Sequence, residues 1–158
     1  MICTQRYDSP LGGILLAADE SGLTGLWFDG GRYFAEGLPA AQLRQETPVL
    51  AEAKLWLDIY FTGREPDFRP PLHPTGSPFQ QAVWALLLQI PYGQLAARLA
   101  AERGVVRMSA QAVGGAVGRN RISLVIPCHR VIGADGSLTG YAGGLDRKAT
   151  LLAWEQSK

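Results

Sequence analysis

The sequence predicts an α+β fold: a small N-terminal lobe with an antiparallel sheet, and a mostly helical C-terminal lobe with a helix-turn-helix. The first 30 residues consist mainly of β-type runs, and helical spacing dominates from residue 47 onward. The proline-rich stretch "REPDFRPPLHPTG" lies between them. A length of 158 residues suffices for one ordinary domain or two small lobes. We therefore expect one lobe over residues 1–72, including this linker, and a second over residues 73–158.

The N-terminal lobe is predicted to begin with three short strands and to continue into a helix. The strands are "TQRY", "ILLAA" and "LTGLWF", separated by the turn-like stretches "DSPLGG" and "DESG". Thr47 then supplies an N-cap and Pro48 the first helical position. Apolar residues at helical spacing follow until Gly63: Leu50, Ala53, Leu57 and Tyr60/Phe61.

The C-terminal lobe is predicted to begin with a helix at "SPFQ", where Ser77 is the N-cap and Gln80 completes a capping box. One face of that helix contains Phe79, Ala82/Val83, Leu86 and Ile90. Residues 95–103 are predicted to be helical, and Ser109 can cap a second short helix, "AQAVGGAVG". Together they are compatible with a helix-turn-helix. "SLVI" is interpreted as a short buried strand ending at Pro127, and residues 146–155 as a final helix with Leu151 and Leu152 inward.

Charge divides the chain in the same way. Residues 1–75 contain six basic and ten acidic residues, whereas residues 76–158 contain nine and four. Six arginines lie between positions 98 and 130, with Glu102 as the single acidic residue there. A basic second half indicates either an anionic partner such as nucleic acid or a solvated basic face. Gly114 and Gly115 lower the helix propensity of "AQAVGGAVG", which fits close packing or close approach of a DNA backbone.

Several classes of protein are not expected. No apolar run approaches ~18 residues, so we expect no membrane partner. The N-terminal "MICTQRYDSP" does not resemble a signal peptide. The chain has two cysteines, Cys3 and Cys128, which fit free thiols in a reducing cytoplasm better than a disulfide framework. The chain also has two histidines, His73 and His129. Because the cysteines and histidines are scattered along the sequence, we expect no metal site.

The stretch "LVIPCHRVIG" contains the candidate catalytic pair, because Cys128 and His129 are adjacent. A neighbouring histidine, nearby cations or a helix terminus can turn a thiol into a nucleophile. Strand neighbours point to opposite faces, so a bridging water or a local turn would have to connect the two side chains. A buried, inert cysteine is the alternative interpretation of this pair taken alone.

The wider context resembles the O6-alkylguanine-DNA alkyltransferases, also called methylated-DNA–protein-cysteine methyltransferases. The active-site segment of that family is similar to "IPCHRVIGADGSLTGYAGGLDRKATLL" here. "SPFQQAVWALLLQIPYGQ", "AVGGAVGRN", "DSPLGG" and "WLDIYFTG" are similar too, so the resemblance covers nearly the whole chain.

The resemblance implies single-turnover DNA repair without a cofactor. A monomer would flip the damaged guanine out of duplex DNA. Cys128 would attack the O6-alkyl carbon and keep the alkyl group, with O4-alkylthymine as a second candidate lesion. His129 would deprotonate Cys128 through a water, and Glu155 would orient His129. Asn120 would brace the site.

The resemblance also implies residues for binding and for shaping the site. The expected guanine pocket consists of Tyr141, Ala142, Gly143, Lys148 and Val131. Pro127 and Arg130 would hold the active-site turn. The recognition helix would lie in the minor groove and bind mainly phosphates. The expected DNA-binding set is Arg98, Ala110, Gln111, Ala112, Gly114, Gly115, Arg119 and Arg121.

Two positions depart from the family pattern. Gln111 stands where the family has an arginine that fills the gap left by the flipped base, and glutamine lacks its charge and stacking. Either Arg98 or no residue stands where the family has a tyrosine that contacts the target phosphate. Weakened repair, transfer mainly from small free substrates, and loss of contact with damaged DNA therefore remain open.

A different class of function is the alternative. The chain could be an alkylated-DNA-binding module with little or no transfer because its base-flipping residues are altered. The presence of Cys128 argues against this alternative. A multiple-turnover Cys-His hydrolase would need an oxyanion site, for which the sequence gives no support.

Overall fold

The computed structural model describes residues 1–93, 96–97, 115–132 and 144–156. Its N-terminal part forms a sheet of β1 (Ile2–Ser9), β2 (Gly12–Ala18), β3 (Leu23–Phe28) and β4 (Gln42–Arg44), in the order β3-β2-β1-β4. The first three strands pair antiparallel, which confirms the predicted sheet. β4 adds a parallel pairing with β1 that was not predicted, because its exposed side chains give no alternating pattern.

A helix, α1 (Pro48–Phe61), packs on this sheet as predicted. Thr47 caps it by accepting a hydrogen bond from the Leu50 amide at 3.3 Å. Its buried face contains the predicted apolar residues Leu50, Ala53, Leu57 and Tyr60, together with Trp56. The helix is followed by Gly63, whose φ of +88° lies in the left-handed region that glycine adopts readily.

The outer edge of β3 binds two later segments of the chain. Leu23 bridges to Leu72 in the proline-rich stretch, and Leu26 bridges to Ile122. Hydrogen bonds from Leu26 N to Arg121 O (2.8 Å) and from Ser123 N to Leu26 O (3.1 Å) secure the second contact. The linker is therefore irregular, as predicted, but it lies against the sheet, next to the segment that leads to the active-site turn.

The helix α2 (Pro78–Leu87) begins at the predicted capping box, in which Ser77 and Gln80 satisfy each other's backbone amides. Its fully buried residues are Val83, Trp84 and Leu87, whereas Phe79, Ala82 and Leu86 are only partly buried. The predicted face is therefore rotated. The cause is Trp84, whose indole N–H donates to Ala116 O at 2.9 Å and which packs toward helical residues 115–118.

The prediction of a helix over residues 95–103 is wrong at Ala96–Ala97. These residues form β5, which pairs in parallel with β6 (Val131–Ile132). Cross-strand pairing overrides the helical preference of the alanines here. The rest of that segment, and so most of the predicted helix-turn-helix, lies outside the described residues.

The prediction of a strand at "SLVI" is also wrong, although the segment is buried as expected. Leu124 has a φ of +71°, which extended backbone cannot adopt. Hydrogen bonds from Val125 N to Ser123 O and from Ile126 N to Ile122 O close successive turns instead. The chain is thereby folded back just before Pro127.

The final helix, α3 (Leu145–Gln156), agrees with the prediction for residues 146–155, with Leu151 buried and Leu152 partly buried. Arg147 ties it to the N-terminal part by donating to Leu11 O at 3.0 Å and stacking over Phe28 at 4.8 Å. Among the described residues, no helix combines the length and the apolar character needed to span a bilayer.

The capping box gives a direct test of the start of α2. Ser77→Ala removes the acceptor for the Gln80 amide and is expected to lower the free energy of unfolding by about 1 kcal/mol. Ser77→Asp keeps an N-cap acceptor and should stay near the unsubstituted protein in urea unfolding. Equal unfolding midpoints for the alanine and aspartate variants would contradict this role.

Candidate active site

The Cys-His pair lies in a single 3-10 turn, Cys128–Arg130, between Pro127 and β6. Hydrogen bonds from Cys128 N to Ile126 O (2.8 Å) and from Arg130 N to Pro127 O (3.1 Å) hold the turn. All three side chains of the turn are buried. A local turn, rather than a strand with opposed faces, therefore arranges the pair.

A single buried carboxylate gathers the groups around this turn. Glu155, on α3, is 3% exposed. Its Oε1 accepts hydrogen bonds from Arg130 Nε (2.9 Å) and the Gly93 amide (3.1 Å). Its Oε2 lies 2.6 Å from His129 Nε2, and it accepts hydrogen bonds from the Tyr60 hydroxyl (2.7 Å) and from Arg130 Nη2 (3.2 Å). Such a set of donors is what a buried anion requires.

These contacts set the charges of the acid and the base. Burial alone would raise the pKa of Glu155, but the hydrogen bonds and charges of His129 and Arg130 hold it well below its usual range. Burial lowers the pKa of His129, and the neighbouring Glu155 opposes that shift only in part. At neutral pH the site therefore contains an ionised carboxylate and a neutral imidazole.

The thiol is held in its protonated form. Burial raises the pKa of Cys128 to about 11, while a hydrogen bond with Asn120 and the charge of Lys148 act in the opposite direction. Lys148 is fully buried on α3 and donates to Val131 O. Burial lowers the pKa of its amine. A base must therefore remove the proton before Cys128 can act as a nucleophile.

Asn120 stabilises the backbone that leads into the turn. Its Nδ2 donates to Ile126 O at 2.8 Å and to Ile122 O at 3.3 Å, while its Oδ1 accepts from the Ile122 amide at 3.0 Å. The side chain is 3% exposed. Asn120 thus closes a loop from residue 120 to residue 126 and approaches the thiol from that side.

Two predicted DNA-binding arginines are directed toward the N-terminal part. Arg119 lies over the Tyr33 ring at 4.2 Å and 3.4 Å from a carboxylate oxygen of Glu36. Arg121 donates to the Thr75 hydroxyl at 2.6 Å and lies 3.5 Å from Glu36. Their role in DNA binding stays a prediction, as does that of Gly115, which is exposed.

The structure thus brings eight predicted site residues together: Asn120, Pro127, Cys128, His129, Arg130, Val131, Lys148 and Glu155. Arg130 also links Glu155 to Ile90 O, to which it donates at 2.7 Å. Gly115, Arg119 and Arg121 are described but are not part of this group. The remaining predicted positions lie outside the described residues: Arg98, Ala110, Gln111, Ala112, Gly114, Tyr141, Ala142 and Gly143.

Sequence reasoning missed two groups of this site, Tyr60 and the Gly93 amide. Tyr60 was interpreted as a core residue of α1, which it also is. The one available signal was chemical, since a phenol placed in a core must find a hydrogen-bond partner. Gly93 contributes only its backbone, in a left-handed conformation with a φ of +77°. A sequence pattern cannot show which carboxylate such an amide meets.

The arrangement has the components of an activated nucleophile. Cys128 supplies the sulfur, His129 is a neutral base, and Glu155 holds the base and can stabilise its charged form. Lys148 adds a positive charge that favours the thiolate. The site is suited to one nucleophilic displacement by sulfur.

Family comparisons agree with both halves of the chain. Residues 2–74 match the model described as 6-O-methylguanine DNA methyltransferase, ribonuclease-like domain. Residues 78–157 match the model for the DNA binding domain of the same proteins.

Individual relatives are similar over nearly their whole length. A methylated-DNA–protein-cysteine methyltransferase of Methanosarcina barkeri is 44% identical over 95% of this chain and 94% of its own. One from Mycobacterium leprae is 44% identical over 99% and 93%. The crystal structure of Mycobacterium tuberculosis OGT in complex with DNA superposes with a TM-score of 0.85 at 38% identity, covering 99% of this chain and 92% of that one.

The charge of Glu155 makes stability depend on pH in a defined direction. A carboxyl whose pKa is depressed in the folded state adds stability above its unfolded pKa of about 4.3, and this is lost as the pH falls further. Glu155→Gln should therefore lower the free energy of unfolding at pH 7 by about 3 kcal/mol, because it leaves Arg130 buried without its anion. The difference between the two proteins should shrink between pH 4 and pH 2. A difference that stays constant in urea unfolding across this range would contradict an ionised Glu155.

Proposed function

This chain belongs to the 6-O-methylguanine DNA methyltransferase family, and on that premise we propose that Cys128 is the residue that receives the alkyl group. The protein is a DNA-repair enzyme that transfers an alkyl group to its own cysteine, and DNA is its partner. Of its two cysteines, Cys128 follows directly on Pro127 in the turn next to Asn120 and Lys148, whereas Cys3 lies in β1. The buried His129–Glu155 pair beside Cys128 is the observation that supports this assignment.

The proposed reaction is a single displacement. The Cys128 thiol loses its proton, and a sulfur lone pair forms a bond to the alkyl carbon. The bond between that carbon and guanine O6 breaks, its electron pair stays on the base, and the base gains one proton. The products are an S-alkylcysteine and an unmodified guanine, so atoms and charge balance. Cys128, His129 and Glu155 supply the nucleophile and the base that this displacement needs, and we propose no cofactor.

We assign the proton acceptor to His129. Its Nε2 is engaged by Glu155, so Nδ1 is the nitrogen that takes the proton, through one bridging water. The ionised Glu155 then stabilises the imidazolium that forms. The low pKa of His129 keeps the imidazole neutral and ready to accept at neutral pH.

The other grouped residues have supporting roles in this proposal. Lys148 stabilises the thiolate, and the family resemblance implies that it would lie near the leaving guanine. Asn120 holds the turn and the thiol. Arg130 keeps Glu155 in place. The thioether is chemically stable, so one molecule repairs one lesion.

The finer details of substrate and assembly stay predictions. They comprise alkylated guanine in duplex DNA as the specific target, a base pocket that includes Val131 and residues 141–143, and DNA contacts from residues 110–115, Arg98, Arg119 and Arg121. They also comprise a monomeric state, a cytoplasmic location and a lobe boundary between residues 72 and 73. The proposed DNA-binding half is the basic one.

A mass measurement on the intact protein tests the assignment of Cys128. Duplex DNA with one O6-methylguanine should add one methyl-sized increment to the unsubstituted protein and to Cys3→Ser, and none to Cys128→Ser. An increment on Cys128→Ser would disprove the assignment. Binding to lesion DNA without any increment would favour the alkylated-DNA-binding module instead.

The departure at Gln111 yields a second test. If an arginine at this position helps to keep the base flipped, Gln111→Arg should speed transfer from duplex DNA by about tenfold, because it restores charge and stacking. Free O6-benzylguanine needs no flipping and is the internal control, with an unchanged rate expected. Equal acceleration with both substrates, or none with DNA, would contradict the role given to position 111.

A further inference from the structure

Tyr60 lies on α1 in the N-terminal part, yet its hydroxyl reaches the candidate catalytic acid. We propose that Tyr60 is a positioning residue for alkyl transfer, which fixes the direction in which the Glu155 carboxylate faces His129. This inference rests on the proposed function, because it gives Tyr60 a task in the deprotonation of Cys128. It also gives the N-terminal part a role in the chemistry itself.

The first observation is that Tyr60 and His129 share one oxygen atom. The Tyr60 hydroxyl donates to Glu155 Oε2 at 2.7 Å, and His129 Nε2 lies 2.6 Å from the same atom. A hydrogen bond to an sp² oxygen depends on the lone-pair direction, so a second short bond restricts how the first can turn. Tyr60 is fully buried, and water has no ready access to replace its hydroxyl.

The second observation is that the Tyr60 ring is itself held in place. It stacks on Trp56 with centroids 5.3 Å apart and planes within 11°, and it meets the edges of Phe61 and Tyr92. Trp154, the residue before Glu155, donates from its indole to Tyr60 O at 3.3 Å. α1 therefore holds α3 at two consecutive residues, one through its backbone and one through its phenol.

Tyr60 orients the Glu155 carboxylate without adding a charge to the site. Arg130 already pairs with the ionised Glu155 through two charge-assisted hydrogen bonds. The phenol is a neutral donor, so the carboxylate keeps the negative charge that the imidazolium needs during transfer. When His129 accepts the thiol proton, Oε2 must lie along its Nε2–H bond. Losing the Tyr60 hydroxyl removes one of the three partners of Oε2 and lets the carboxylate turn away from that line.

Tyr60→Phe tests the proposal, because it removes one hydroxyl and keeps the ring. Tyr7→Phe is the matched control, since Tyr7 also donates a phenol hydrogen bond, at 2.6 Å, to α1, at Asp58. Single-turnover alkylation of Cys128 by free O6-benzylguanine should slow about tenfold in Tyr60→Phe, the worth of one hydrogen bond to a charged group. Tyr7→Phe should match the unsubstituted protein, and 3-fluorotyrosine at position 60, which keeps the hydroxyl, should restore the rate.

The proton resonance of His129 Nε2–H supplies a readout that a merely structural role would not change. It should move upfield in Tyr60→Phe, because its hydrogen bond to Glu155 weakens, and stay in place in Tyr7→Phe. An unchanged transfer rate or an unchanged resonance in a folded Tyr60→Phe protein would overturn the positioning role alone. Absence of an adduct on Cys128 in both the unsubstituted protein and Tyr7→Phe would overturn the proposed function, and this inference with it.

Discussion

The buried carboxylate of Glu155 is the constraint on which the site depends. A buried anion is tolerated only when hydrogen-bond donors surround it, and here they come from three separate parts of the chain. Tyr60 reaches it from α1, the Gly93 amide from the turn after α2, and His129 and Arg130 from the active-site turn. Forming this cluster therefore brings the N-terminal part, both later helices and the turn into one arrangement.

The same cluster explains how Cys128 can be protonated at rest and still have a base next to it for the reaction. Burial keeps Cys128 protonated, so the sulfur is a poor nucleophile toward reagents that bring no base. His129 is neutral for the same reason, and Glu155 stays ionised because its donors outweigh its burial. In the proposed reaction, His129 takes the proton as the sulfur forms its bond to the alkyl carbon. Because the protein reacts only once, the raised pKa of Cys128 limits side reactions of the thiol before a substrate binds.

Local patterns predicted much of this molecule, and contacts between distant residues account for what they missed. The three antiparallel strands, α1 and the capping box at Ser77 followed from spacing and cap chemistry. "SLVI" was wrong as a strand because the left-handed Leu124 serves a turn that Asn120 closes from outside the segment. β5 was missed because two alanines pair with a distant strand. Cys128, His129 and Glu155 were named through a family resemblance, whereas Tyr60 required the three-dimensional contact itself.

We expect the resting site to hold a neutral His129, protonated on Nε2, beside an ionised Glu155. The ¹⁵N chemical shifts of the His129 ring, recorded at pH 7 on protein with labelled histidine, report this protonation state. One protonated and one unprotonated ring nitrogen are expected, with the proton on Nε2, where the Glu155 carboxylate accepts a hydrogen bond from it. Two protonated nitrogens would show that the base is already occupied, and that His129 cannot take the proton of Cys128.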